Sequence, residues 1–272
     1  VSEWTRQSVI ASLIDEWDVI DSLLSGISED QWATASGLPG WTVHDIVSHL
    51  IGTESLLAGI EAPTDDFDPH AQAHVRNEVA AFNERWVRAL ADAPPRALLD
   101  RFRAVTASRA VDLAAVTDSE WEAITPTPVG PAPYGRFMRI RMFDCWMHEM
   151  DVRDALGRPG DEGGLRGELA LTEITGAVGF LVGKRAGAPA GSRVTFDLSG
   201  PLARRLHVAV NDRATLVESF DESATTTIGM PSTLFTRLCG GRVRADDHRA
   251  SISIGGDVAV GERIVSSLAF TI

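Results

Sequence analysis

The chain is short of cysteine and of positive charge, and it has no long apolar run. Only Cys145 and Cys239 occur in 272 residues, far apart and with no Cys-x-x-Cys pair. That usage offers no disulfide framework and fits a reducing compartment. Cys145 stands among Met142, Phe143, Trp146 and Met147, where a thiol reads as a small hydrophobe before it reads as a nucleophile. Lysine and arginine number 25 against 38 aspartates and glutamates, a formal net charge of −13. DNA, RNA and anionic membranes need a basic footprint that this chain would build against its own field, so small molecules are the expected partners. No uninterrupted apolar stretch reaches the roughly 18 residues of a membrane span, and the opening VSEWTRQS lacks a basic and then apolar leader. A cytoplasmic location is expected. GxSxG, HExxH, GxxxxGK[ST] and a GxGxxG after a strand are also missing, so the commoner hydrolase and nucleotide readings find no support.

What is present is material for a large core: 44% of residues are hydrophobic and 23% charged, enough for one large domain or two ordinary ones. The most informative stretch is residues 135–156, GRFMRIRMFDCWMHEMDVRDAL, which reads as one long helix. At about 100° per residue, Glu149 and Arg153 fall within about 80° of Arg139 and define an expected wet face. Asp144 and His148 lie opposite, amid Phe137, Ile140, Met147 and Ala155. A carboxylate and an imidazole spaced i, i+4 on a buried face require partners, because an unpaired buried charge is expensive. Either Asp144 bonds His148 or Arg141 inside a bundle, or both side chains bind one divalent metal with a third ligand from another helix. The helix alone leaves both readings open.

Before it, apolar spacing predicts a helix from Glu3 to Ile27, then a Gly/Pro loop. Thr42 and Asp45 form an acidic capping pattern that opens a second helix, VHDIVSHLIGTESLLAGI. His49 lies on the shoulder of its apolar face, as a packed core histidine or as a ligand; His44 falls on its polar side and reads as solvated. A third helix is expected from about His70 to Ala91, and its His70/His74 pair is a competing metal site by spacing, set on a solvated face. A fourth runs from Arg96 to Ala115. WEAITPTPVGPAPYG then forms a long proline loop before the Asp144/His148 helix. His49 is the one buried-looking histidine outside that last helix, so His49, Asp144 and His148 are the best ligand triad available.

Two segments together carry a family likeness: GWTVHDIVSHLIGTE, with Trp41, Thr42 and His49-Leu50, and RMFDCWMHEMDVRDALGRPG, with Asp144-x-x-x-His148 and the ending Asp151 to Pro159. They resemble the DinB-like four-helix bundle of the mycothiol-dependent maleylpyruvate isomerase family. The resemblance implies a zinc site held by His49, Asp144 and His148, with mycothiol as thiol cosubstrate. It also implies a metal-requiring transferase or isomerase that activates a small thiol against an electrophile. Asp144 departs from the family pattern, which has glutamate; the shorter side chain requires a closer backbone approach or a contact through water.

Residues 157–164, GRPGDEGG, are a glycine-rich hinge, which divides the chain into an expected bundle over 1–160 and a second domain over 161–272. Beyond it a helix is expected to Ala186, then alternating strands SRVTFDLSG, RRLHVAVN, ATLVES and TTTIGM, a short helix to Cys239, one more strand ASISIGG and a closing helix from Val258 to Ala269. The expected fold is therefore α plus α/β, with an antiparallel sheet in a small second domain similar to the sterol-carrier-protein-2-like (SCP2-like) domain of the same family. Arg242, in the Gly240-Gly241-Arg242-Val243 turn, is a candidate catalytic contact for a carboxylate substrate, or a surface arginine beside a turn. The alternative to an enzyme is a metal- or lipid-binding protein that keeps the fold without the chemistry.

Overall fold

The computed structural model describes residues 4–64, 66–160 and 162–271. The expected helix start at Glu3 and single residues of the 62–69 and 157–164 segments lie outside these. The chain divides into two compact units, Val1–Gly160 and Asp161–Ile272.

The first unit is a helical bundle. Its helices are α1 (Arg6–Ser25), the short α2 (Glu29–Trp32), α3 (Val43–Leu57), α4 (Glu78–Leu90), α5 (Pro95–Ala115), the short α6 (Asp118–Glu122) and α7 (Tyr134–Ala155). The long helices α1, α3, α5 and α7 pack on one another, and α4 leans on α3. Leu13, Ile20 and Leu24 of α1, Ile46 and Leu50 of α3, Phe102 of α5 and Trp146 of α7 are fully buried between them. Among the described residues no helix is long and apolar enough to cross a membrane.

Local chemistry sets where these helices start. The Thr42 side chain accepts from the Asp45 backbone N–H while the Asp45 carboxylate accepts from the Thr42 N–H, at 2.8 Å for the latter, so two of the orphan donors at the start of α3 are satisfied. The third helix starts later than its apolar spacing implied. A single 3₁₀ turn, Pro69–Ala71, is capped by Asp68, and α4 begins only at Glu78, where the Asn77 side chain accepts from the Ala80 N–H. The proline loop carries α6 and a two-stranded ladder of β1 (Ile124–Thr125) and β2 (Ala132–Pro133).

On α7 one expectation is corrected. Glu149 is 1% exposed and accepts from Arg153 Nε at 2.6 Å, so the predicted wet face is buried there: an i, i+4 ion pair lets the carboxylate leave water. The Asp144 side chain, placed on the buried side, is 32% exposed.

The second unit opens with α8 (Gly164–Phe180), extended by one wider turn to Arg185. Its strands are β3 (Arg193–Ser199), β4 (Arg204–Val210), β5 (Ala214–Val217), β6 (Thr226–Pro231) and β7 (Ser253–Gly256), with α9 (Ser232–Cys239) and α10 (Val258–Val265) following β6 and β7. The sheet order is β5-β4-β3-β6-β7. Three of the pairings are antiparallel and β3/β6 is parallel, because β6 returns beside β3 instead of folding back on β5. Val194, Phe196, Leu198, Val208, Ile228 and Met230 alternate to form the buried face, and α8, α9 and α10 pack on the strands. The last helix stops at Val265, short of Ala269, and Phe270 N–H instead donates to the Cys239 carbonyl at 2.9 Å.

Gly52 of α3 faces the fully buried Trp86 of α4, and a Cβ there would lie 2.4 Å from Trp86 Cγ. Gly52→Ala is therefore expected to cost about 1–3 kcal/mol by overpacking. Urea unfolding should show a lower midpoint at unchanged m; an unchanged midpoint would mean α4 is free to shift.

Candidate metal centre

His49 projects from the second turn of α3, and Asp144 and His148 project from one side of α7. The three come together. His49 Nε2 lies 3.1 Å from Asp144 Oδ2, and His148 Nε2 lies 3.5 Å from Asp144 Oδ1. One ligand atom from each residue falls within 4.8 Å of the other two, and this is the one such cluster of three or more among the described residues. The two imidazoles approach different oxygens of Asp144, at spacings near the about 3.3–3.5 Å that tetrahedral zinc with bonds of about 2.0–2.1 Å sets between its ligand atoms. Two imidazole nitrogens and a carboxylate oxygen are also a donor set that suits zinc.

The surroundings prepare those atoms. His148 Nδ1 bonds Asp151 Oδ2 at 2.9 Å, and Asp151 is 2% exposed. A ligating histidine held this way on its far nitrogen presents the other in a fixed tautomer. His49 has no such tether: its Nδ1 is buried without a hydrogen-bond partner. Its ring is packed between Trp41, at 5.4 Å between centroids, and His148, at 4.8 Å. With the side chains of His49 and His148 5% and 7% exposed and that of Asp144 32% exposed, the cluster opens to solvent on the carboxylate side.

Asp144 is also paired with Arg141 Nη1 and faces His148 Nε2, so both protein partners expected for it inside the bundle are in place. Arg141 in turn donates from Nε to Glu54 Oε1 at 3.0 Å, while Arg109 Nε donates to Glu54 Oε2 at 3.2 Å. Glu54 is 0% exposed and both arginines 2%. A buried carboxylate thus sits between two buried guanidiniums, and one of these reaches on to Asp144. Arg109 continues to the Tyr134 hydroxyl at 2.8 Å.

These charges set the protonation of the cluster. Burial pushes the His49 imidazole below its ordinary range despite Asp144, which favours the neutral form that binds a metal. For His148 burial acts the same way but is outweighed by Asp144 and Asp151, which raise it. Burial would raise the Asp144 carboxyl, yet His148, Arg141 and His49 outweigh it and hold it well below the usual carboxylate range. Burial pushes the Cys145 thiol up, away from the thiolate a nucleophile needs.

The remaining candidates lie elsewhere. His70 Nε2 faces Glu78 at 3.5 Å and His74 Nε2 bonds Glu84 at 2.7 Å; the two are not joined in a metal cluster. His44 is half-buried rather than solvated, with Nε2 on the Ala93 carbonyl at 2.9 Å. Arg242 belongs to the second unit, where Nη1 donates to the Gly240 carbonyl at 2.5 Å and to Thr271 Oγ1 at 3.1 Å. Sequence reasoning missed Glu54, Arg109 and Glu84, buried charges whose partners are remote in the chain. Asp151 carried a local signal, three residues after His148 on the same helix.

Replacing Glu54 with alanine leaves two guanidiniums facing each other in the core. Glu54→Ala is expected to destabilise the fold by about 3–5 kcal/mol, read by chemical denaturation; a loss under about 1 kcal/mol would mean that the pairing is not what holds α3, α5 and α7 together.

Comparison with known proteins finds a match for each of the two units. Residues 13–153 match the mycothiol maleylpyruvate isomerase N-terminal domain, and residues 168–263 match the C-terminal domain found with it. Two uncharacterized proteins of Mycobacterium tuberculosis, from strains CDC 1551 / Oshkosh and ATCC 25618 / H37Rv, are each 31% identical over 150 residues, covering 54% of this chain and 56% of the relative. The match thus spans about half the length of these relatives. The crystal structure of the mycothiol-dependent maleylpyruvate isomerase superposes with a TM-score of 0.61 at 17% identity, covering 94% of this chain and 95% of that one, a likeness of fold. With the first domain matched across its bundle and the second across its sheet, the chain belongs to the mycothiol-dependent maleylpyruvate isomerase family.

Proposed function

We propose that this protein is a thiol-dependent metalloenzyme in which His49, Asp144 and His148 hold one divalent ion, zinc by the chemistry of the donor set. Mycothiol is the proposed cosubstrate, and the reaction is isomerisation by transient thiol addition or transfer of the thiol to a small electrophile. The observation that carries this reading is the placement of His49: an imidazole from α3 lies 3.1 Å from a carboxylate of α7, so ligands from two helices face a common point.

His49, Asp144 and His148 would hold the ion, and zinc held by three protein ligands would supply Lewis acidity that lowers the pKa of an incoming thiol. The chain's own residues do the rest. Asp151 holds the His148 ring with Nε2 forward. Arg141 and His49 Nε2 both engage Asp144 Oδ2, while Oδ1 faces His148 Nε2 at 3.5 Å. Although aspartate is shorter than the family's glutamate, α7 carries the Asp144 Oδ2 to 3.1 Å from His49 Nε2, which supports a place for it in the ligand set. The exposed edge of Asp144 is the side from which a thiol can arrive.

Metal analysis tests the assignment without any assay of turnover. Purified protein is expected to carry about one equivalent of zinc, and His49→Ala and His148→Ala should each lose it. Retention of metal by both variants would move the site elsewhere. A screen of thiols against electrophiles should then show turnover that a chelator abolishes; bound metal with no thiol-dependent turnover would mark a binding protein instead.

A further inference from the structure

His148 has Asp151 to hold its far nitrogen, and His49 has nothing equivalent. Its Nδ1 is buried without a hydrogen-bond partner, so beyond the single contact of Nε2 with Asp144 Oδ2 at 3.1 Å the orientation of that ring depends on what packs against it. The indole of Trp41 lies over both imidazoles, tilted 38° to His49 at 5.4 Å between centroids and 34° to His148 at 6.3 Å. Trp41 is not on a helix; it precedes the cap residue Thr42 and follows Gly40, whose φ is 81°. Helix geometry therefore does not place it.

What places it is a hydrogen bond. Trp41 Nε1 donates to Glu84 Oε1 at 2.6 Å, and His74 Nε2 meets the same oxygen at 2.7 Å. An ionised carboxylate only accepts, so both rings donate to it, which puts the His74 proton on Nε2. Glu84 is 7% exposed on α4, and a carboxylate so buried needs both donors. The segments that carry Trp41 and His74 also touch directly: a Cβ on Gly40 would come within 3.2 Å of His74 Cε1.

We propose that His74, Glu84 and Trp41 are positioning residues that fix the two imidazoles of the metal centre from outside the ligand set. Glu84 anchors the indole, His74 completes the carboxylate's hydrogen bonds, and the indole holds the His49 ring at the angle its own nitrogen does not enforce. The proposal rests on the metal-site reading for its role in catalysis, but the ring geometry itself is independent of any bound ion.

The test therefore uses two readouts on the full chain. Long-range ¹H–¹⁵N spectra of the metal-free protein report the ring nitrogens of His49 and His148, and a cobalt(II) titration reports affinity and the visible absorption of the loaded site. In Trp41→Phe and in Glu84→Ala the His49 signals are expected to shift or broaden, with cobalt affinity down about 10–100-fold, as for other outer partners of metal ligands, and a changed visible spectrum. Glu84→Gln keeps an acceptor oxygen and should restore most of both, and the double variant should be no worse than the weaker single one. Wild-type ring signals and cobalt spectrum in folded Trp41→Phe would overturn the proposal, whether or not Glu84→Ala folds. If the unaltered protein takes up no cobalt, the metal reading fails, and the ring signals alone still decide the positioning role.

Discussion

The structure of the first unit depends on one buried carboxylate. Glu54, on α3, accepts from Arg109 of α5 and from Arg141 of α7, so three helices of the bundle are locked in register by a single charge out of water. Apolar packing between helices tolerates sliding; a buried ion set does not, because any shift leaves a guanidinium unpaired at a cost of several kcal/mol. The register matters here for a specific reason. His49 and Glu54 are on the same helix, as are Arg141 and Asp144, so the pairing that satisfies Glu54 also sets the distance from the imidazole at 49 to the carboxylate at 144.

The charges also explain why a half-exposed aspartate can serve in such a place. Arg141 pairs with Asp144, and Asp151 plays the corresponding part for His148. Burial favours the neutral form of His49 and the neighbouring charges hold Asp144 ionised, whereas Asp144 and Asp151 favour the protonated form of His148, whose Nε2 proton an incoming ion would have to displace.

Local features of the chain were legible and remote ones were not. The i, i+4 spacing of Asp144 and His148 is visible within one helix, and the Thr42/Asp45 cap announces α3. His49 was reached by elimination and by family likeness, since a lone histidine beside an apolar face has no signature of its own. The pairings that organise the site span 55 residues from Glu54 to Arg109, 87 from Glu54 to Arg141 and 43 from Trp41 to Glu84, and no periodicity reports them. Glu149 breaks the rule that a charge marks a wet face, because Arg153 one turn on satisfies it in the core. The start of α4 was misplaced because Val75 and Val79 keep helical spacing across a cap, Asn77, that interrupts the helix. In the second unit the strands could be read from alternation, but the parallel pairing of β3 with β6 could not, since strand order is set by tertiary packing.

The most direct measurement is an anomalous difference map at the zinc edge from crystals of the protein purified without chelator. The expected result is one strong peak within about 2.0–2.2 Å of His49, Asp144 and His148 at once. A peak held by other side chains, or His49 turned away from a metal bound at α7 alone, would contradict the convergence on which the proposed chemistry depends.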